Sequence, residues 1–136
     1  IYGIIIHYYD LAELSDSRVK ENVIDLGDNA LAKIIQLKAK KYDIKREYYF
    51  DENISEKMKG YLDHKRQNHV GFIAEEVSEI FPDMVIQDET TGLNSIKYID
   101  LIPYLVEAIK EQQLQIEQLE IEINQLKSNR EKVPAE

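Results

Sequence analysis

The sequence has no cysteine, so a disulfide framework and a thiolate metal site are both excluded, and the redox compartment cannot be read from it. It also lacks a long apolar run. The longest, around Ile4, Ile5 and Ile6, falls far short of the roughly 20 residues that cross a bilayer, and it has no signal-peptide layout, so a soluble protein or a soluble part of a larger one is expected. Positive charge is scarce as well. Against 26 Asp and Glu stand 17 Lys and Arg, a formal net charge of -9, whereas a surface built for phosphates needs clustered cations. The short basic clusters, Lys38-Ala39-Lys40-Lys41 and His64-Lys65-Arg66, are flanked by acids and read as solvated faces. No nucleic-acid or membrane partner is expected. The first residue is Ile rather than Met, the start expected of a fragment or a processed product.

What remains is a chain of 136 residues, enough for one globular domain plus an extension. Its 43% hydrophobic and 32% charged content suits a folded protein, not a disordered one. Residues Ile1 to Tyr9 are β-branched and aromatic, which predicts a strand; left alone it would aggregate, so it is expected to pair with another segment. Apolar residues from Leu26 to Leu37 recur near helical period and predict a helix from about Asn29 to Lys38, with Asp28 or Asn29 as N-cap. The alternation of Tyr42, Ile44, Arg46, Tyr48 and Phe50 with charged residues predicts a half-solvated strand. Residues 51–68 read as a charged excursion with a helix-permissive patch at Ile54, Met58 and Leu62. Ile73, Val77, Ile80 and Phe81 share a helical face that Pro82 ends. Met84 to Gln87 and Leu93 to Tyr98 then flank a Gly-containing turn and predict a hairpin.

From Asp100 the pattern is a capped helix with Pro103 in its first turn. Ile102, Leu105, Ile109, Gln112, Ile116, Leu119, Ile123 and Leu126 follow in alternating steps of three and four, an a/d heptad seam that predicts a parallel coiled coil roughly 40 Å long. Gln112 occupies a d position. Leu114 and Ile121 lie at f, outside the seam, and suggest a second contact with the globular part. No basic region precedes the heptads, which disfavours a transcription-factor zipper.

The chemistry-bearing stretch is Ser15-Asp16-Ser17-Arg18-Val19-Lys20-Glu21-Asn22. A Ser and a Lys that meet can act as nucleophile and base, provided burial or a neighbour keeps the amine neutral. Spacing alone leaves a bland alternative, that Ser15, Asp16 or Ser17 caps a turn or a short helix. His7, His64 and His69 have neither a metal-ligand spacing nor a nucleophile elbow and read as surface or loop histidines.

Taken together, SDSRVKENV, ALAKIIQLKAKKYDI, HVGFIAEEVSEIFPDMV and IKYIDLIPYLVEAIKEQQLQIEQL resemble, in order, the blocks of the intramolecular chaperone auto-processing domain, also called the chaperone of endosialidase. Such domains end bacteriophage tail spikes, tail fibres and neck appendages, and a similar one occurs in myelin regulatory factor. The resemblance implies an α+β fold, a small mixed domain of short strands and helices followed by a long C-terminal coiled-coil helix, assembled as a homotrimer. It implies an upstream client segment at 1–14, the chaperone domain at 15–100, the trimerisation helix at 101–127 and a polar tail at 128–136. The implied function is to trimerise, hold an upstream fibre or spike in register while it folds, and release itself by single-turnover autoproteolysis, in cis or within the trimer. Ser15 would be the nucleophile, Lys20 the general base and Leu14-Ser15 the scissile bond, with Asp16 orienting or structural. Gly71 and Glu76 match a second block in a packing role, and Glu75 departs from the Gln more usual there. No cofactor and no metal are implied. The implied setting is the host cytoplasm during phage assembly, the domain then being removed from or retained on the virion tail. A permanent, non-cleaving trimeric cap of the same fold is the alternative.

Overall fold

The structure is a computed structural model, and it describes residues 15–27, 29–49 and 53–131. The predicted strand at Ile1 to Tyr9, and Leu14 with it, lie outside the described residues. In chain order the elements are α1 (Ala30–Ile34), β1 (Lys40–Tyr42), α2 (Arg46–Tyr49), α3 (Glu56–Lys65), β2 (His69–Gly71), α4 (Ala74–Ser78), β3 (Val85–Gln87), β4 (Asn94–Ile96) and α5 (Leu101–Glu131), with single 3-10 turns at Ser17–Val19, Pro82–Met84 and Tyr98–Asp100. This is a mixed arrangement of helices and short strands ending in a long helix. The chain divides into two compact units, one drawing on residues 15–25 and 39–72, the other on 26–38 and 73–131.

In the first unit β1 pairs antiparallel with β2, Lys40 opposite Gly71 and Tyr42 opposite His69. The strand expected to continue through Tyr48 does not. Beyond Tyr42 no partner strand is left, because the Ile44 N–H is taken by the Arg66 carbonyl at the end of α3, 2.8 Å away. Arg46 instead opens the helical turn α2 and sets its guanidinium on the Asp63 carboxylate. The charged excursion contains a real helix. Ser55 caps α3 by accepting from the Met58 N–H at 3.3 Å, and Met58 and Leu62 lie within it as the apolar patch predicted.

The second unit holds the core. Ala30, Val77, Phe81, Met84, Leu101 and Ala108 are buried, Val77 completely. Helix α4 is short because Pro82 cannot extend it, and Val77 and Phe81 turn inward while Ile73 stays partly exposed. The Phe81 and Tyr104 rings meet edge to face at 4.8 Å, and the Lys33 ammonium stands 5.5 Å from the centre of Phe81. The hairpin forms as expected, Val85 opposite Ile96 and Gln87 opposite Asn94. Asp88 holds its turn by accepting from the Thr90 and Thr91 N–H groups, and Gly92 supplies the positive φ of 71° that a side chain would resist.

Helix α1 is shorter than expected. It stops at Ile34 instead of continuing to Lys38, and Ile35, 71% exposed, gains no burial from a further turn. Asn29 sits in left-handed backbone (φ 84°) and makes no capping bond, while Asp28 is outside the described residues. The cap comes from far along the chain. Glu111 on α5 accepts from the Ala30 N–H at 2.9 Å and the Leu31 N–H at 3.0 Å, satisfying two of the orphan donors of the helix start. Glu111→Ala is therefore expected to destabilise the unit by about 2 kcal/mol, and Glu111→Gln, which keeps one acceptor, by less. Urea unfolding followed by far-UV circular dichroism measures both.

Helix α5 packs on the rest of its unit through one face. Leu101, Tyr104, Ala108 and Glu111 follow each other by three and four residues and point to α1 and Phe81. In the heptad frame these are positions g and c, so the globular contact does not use Leu114 and Ile121 at f, which stay 66% and 51% exposed. At about 1.5 Å per residue the 31 residues of α5 extend about 46 Å. No helix among the described residues is long and apolar enough to cross a membrane.

Candidate functional site

The stretch from Ser15 to Lys20 is organised by its own side chains. Asp16 is the N-cap of the 3-10 turn: its Oδ1 accepts from the Arg18 backbone N–H at 2.9 Å. The Arg18 guanidinium then closes on the same carboxylate, Nε to Oδ1 at 2.9 Å and Nη2 to Oδ2 at 2.8 Å. These bonds favour the ionised carboxylate and hold Asp16 below the usual range. The turn is completed by the Val19 N–H on the Asp16 carbonyl and the Lys20 N–H on the Ser17 carbonyl.

That turn folds Lys20 back on Ser15. The Lys20 ammonium Nζ donates to Ser15 Oγ at 2.7 Å. Capping and the Ser–Lys contact, which compete when only spacing is known, are thus divided between neighbours: Asp16 caps, and Ser15 is left for Lys20. The bonds of Asp16 go to Arg18, so its place is in the turn. Ser15 and Lys20 are both exposed, and so are Val23 (76%) and Ile24 (87%) just beyond. Leu14, on the other side of the expected scissile bond, lies outside the described residues.

The remaining predicted positions fall elsewhere. Gly71 is buried in β2, where it faces Lys40 across the ladder, and Glu76 lies in α4. Glu75 accepts from the Asn94 carboxamide at 2.8 Å, and that bond lowers its carboxyl below the usual value. A Gln at this position could offer the same acceptor oxygen. His69 stacks on Tyr42 with 5.8 Å between ring centres, and its Nε2 lies 3.0 Å from the Lys65 carbonyl. His64 is exposed, and His7 is outside the described residues. Among the described residues no group of His, Cys, Asp and Glu could hold a metal. The seam residues Ile102, Leu105, Ile109, Ile116, Leu119, Ile123 and Leu126 are each 44 to 68% exposed, so a single chain leaves this apolar stripe to water.

Three residues escaped the sequence reading. Arg18 had a local signal, an acid two residues earlier in a turn-forming stretch. Glu111 had none, because its partners are 80 and 81 residues away. Asp63 had none either: it bridges Arg46 and Arg66, which together lower its carboxyl from 3.8 to about 2.

A model of a peptidase family described as chaperone of endosialidase matches residues 15–86, more than half of the chain, and its span begins at Ser15. The chain belongs to the chaperone-of-endosialidase family. No curated protein matches it. The family match takes in the Ser15–Lys20 turn, α1 to α4 and part of β3, and stops before α5.

The Asp63 cluster has a pH consequence for this chaperone domain. A carboxyl depressed in the folded state contributes stability that is complete above about pH 4 and is lost as pH falls towards 2. Asp16, Glu75 and Asp88 are also lowered and act in the same sense. Asp63→Asn is therefore expected to reduce the fall in denaturation midpoint between pH 4 and pH 2 while leaving part of it. Urea midpoints for both proteins across that range provide the check.

Proposed function

We propose that this chain is a C-terminal intramolecular chaperone that trimerises through α5, holds an upstream fibre or spike segment in register, and then releases itself by cleaving Leu14-Ser15. The observation that carries the cleavage is the 2.7 Å contact of Lys20 Nζ with Ser15 Oγ at the first residue of the family match. In the reaction Lys20, as the neutral amine, takes the hydroxyl proton while Ser15 Oγ bonds to the Leu14 carbonyl carbon. The C–N bond breaks, the proton passes to the departing Ser15 amine, and the Leu14 acyl group is left as an ester on Oγ. Water then opens the ester, giving a carboxylate at Leu14 and a free hydroxyl at Ser15. Proximity within one chain replaces a substrate pocket, so turnover is single.

A base must be neutral, and in one chain Lys20 is exposed to water. Burial by the assembled copies or by the upstream segment would favour the uncharged amine. This makes cleavage follow assembly. The client logic is the same: intertwined β-structure has non-local, interchain contacts and nucleates slowly, and a trimeric helix raises the local concentration of three strands and aligns them. Residues 1–14 would belong to the client, 15–100 to the chaperone, 101–127 to the trimer helix and 128–136 to a tail.

The exposure of Ser15 and Lys20 favours a second reading, a permanent trimeric cap that never cuts. The test is the intact mass of denatured chains as the assembled protein ages. Two fragments divided between Leu14 and Ser15 are expected; one uncut mass in a verified trimer would leave only the cap.

A further inference from the structure

Within the stripe that α5 leaves to water, Ile102 through Leu126, the polar member is Gln112. Gln115, at a g position, lies outside the seam, and two other glutamines of the helix are occupied. Gln113 donates to Glu117 at 2.9 Å, and Gln118 donates to Glu122 at 2.9 Å. The Gln112 side chain makes no hydrogen bond among the described residues, and its exposed carboxamide, with donors and an acceptor, faces outward from an apolar seam. About 100° around the helix the adjacent Glu111 is held by α1. The helix therefore cannot roll Gln112 away from its partners without breaking that cap.

We infer that Gln112 is the register-determining layer of the helix assembly, a site that recognises the same residue on two further copies of this chain. The inference rests on the trimeric reading above. In a parallel, in-register trimer the three carboxamides come to one level at the axis, where each donates to the next and all are satisfied. Every other alignment leaves them unpaired. A slip of one heptad, about 10 Å along the axis, sets Gln112 against Leu105 or Leu119 of a neighbour. The seam's midpoint lies near Leu114, so an antiparallel pairing that uses its whole length sets Gln112 against Ile116. In each case a buried carboxamide loses water without gaining a partner. For a chaperone this is the alignment that matters, since a one-heptad slip displaces the upstream strands from each other by the same distance.

The absence of native cysteine gives a direct test in the full chain. Leu119→Cys places one thiol at a d position that meets its own counterpart only in the parallel, in-register trimer; a one-heptad slip sets it against Gln112 or Leu126, and the antiparallel pairing against Ile109. With Gln112 in place, oxidised glutathione is expected to join two of the three chains in nearly every trimer, which leaves one thiol in three free, and sedimentation is expected to give a single trimer mass. Adding Gln112→Leu should raise the trimer's melting temperature by about 5 °C or more, because an apolar layer replaces a polar one. It should also lower the disulfide yield several-fold or add dimeric and tetrameric masses, and Gln112→Asn should restore the single register. Unchanged yield and a single trimer mass in the Gln112→Leu protein would overturn the role of Gln112 while leaving trimerisation standing. A monomer with Gln112 intact would overturn the trimeric reading and this inference together.

Discussion

In Ser15→Ala no ester can form, and intact-mass measurement of the denatured chain is expected to find it whole at every time point, while the assembled parent yields two fragments. Lys20→Gln keeps the nucleophile but removes the base, and the cleavage rate should fall by about 10²–10⁴. Two further substitutions separate chemistry from shape. Lys20→Arg retains the charge and the reach to Ser15 Oγ, yet a guanidinium cannot be deprotonated in a protein, so no rescue is expected. Ser15→Cys supplies another nucleophile at the same place and should restore part of the rate. Arg18→Ala tests the turn that brings the pair together. It removes the guanidinium from Asp16 but leaves the backbone cap, so slower cleavage without loss of fold is the expected result. Equal cleavage in the parent and in Ser15→Ala would remove Ser15 from the mechanism.

The second large effect concerns assembly. Ile116 lies at an a position beyond the part of α5 that packs on the core, and it is 44% exposed in a single chain. Ile116→Glu should therefore leave the globular fold intact while bringing three carboxylates together at the trimer axis. Burying one Ile contributes about 1.5–3 kcal/mol, so three lost contacts cost about 5–9 kcal/mol per trimer before charge repulsion is counted. Sedimentation equilibrium should find monomer where a trimer is expected of the parent, with the near-UV signal of the Phe81–Tyr104 region unchanged. If assembly gates the chemistry, Ile116→Glu also stops cleavage although Ser15 and Lys20 are untouched. Cleavage at the parent's rate in a monomeric Ile116→Glu protein would show that the single chain already holds a competent site.

Much of this molecule is legible from local pattern. The heptads of α5, the hairpin around Asp88-Glu89-Thr90-Thr91-Gly92 and the Val77–Phe81 face ended by Pro82 are each encoded within a dozen or so residues, at periods that physics ties to one conformation. The order of the blocks from SDSRVKENV onward was enough to suggest the family. Where the local pattern failed, a distant partner had decided the outcome. Alternation from Tyr42 to Phe50 is the signature of a strand, but a strand needs a neighbour, and the antiparallel register would set it against the residues before His69, which belong to the end of α3; Asp63 and the Arg66 carbonyl took Arg46 and Ile44 instead. At the start of α1, Asn29 turned left-handed and makes no capping bond, and a carboxylate 80 residues on accepts from the Leu31 N–H.

The residue types needed for self-cleavage, and their five-residue spacing, are properties of the sequence alone, as is the apolar stripe that calls for partner helices. Which residue caps and which meets the lysine is not. A hydroxyl, a carboxylate and a second hydroxyl in succession can each close a turn, and only the folded chain assigns that task to Asp16, because Arg18 can clamp both carboxylate oxygens at once and Ser15 cannot be held that way. Likewise, heptad spacing names the seam of α5 but not the flank that packs on its own chain, which is the g and c positions and not f, where Leu114 and Ile121 stand exposed. Packing settles it: Leu101, Tyr104, Ala108 and Glu111 are covered by α1 and Phe81, leaving the stripe that contains Gln112 outside, since one helix face cannot be buried twice.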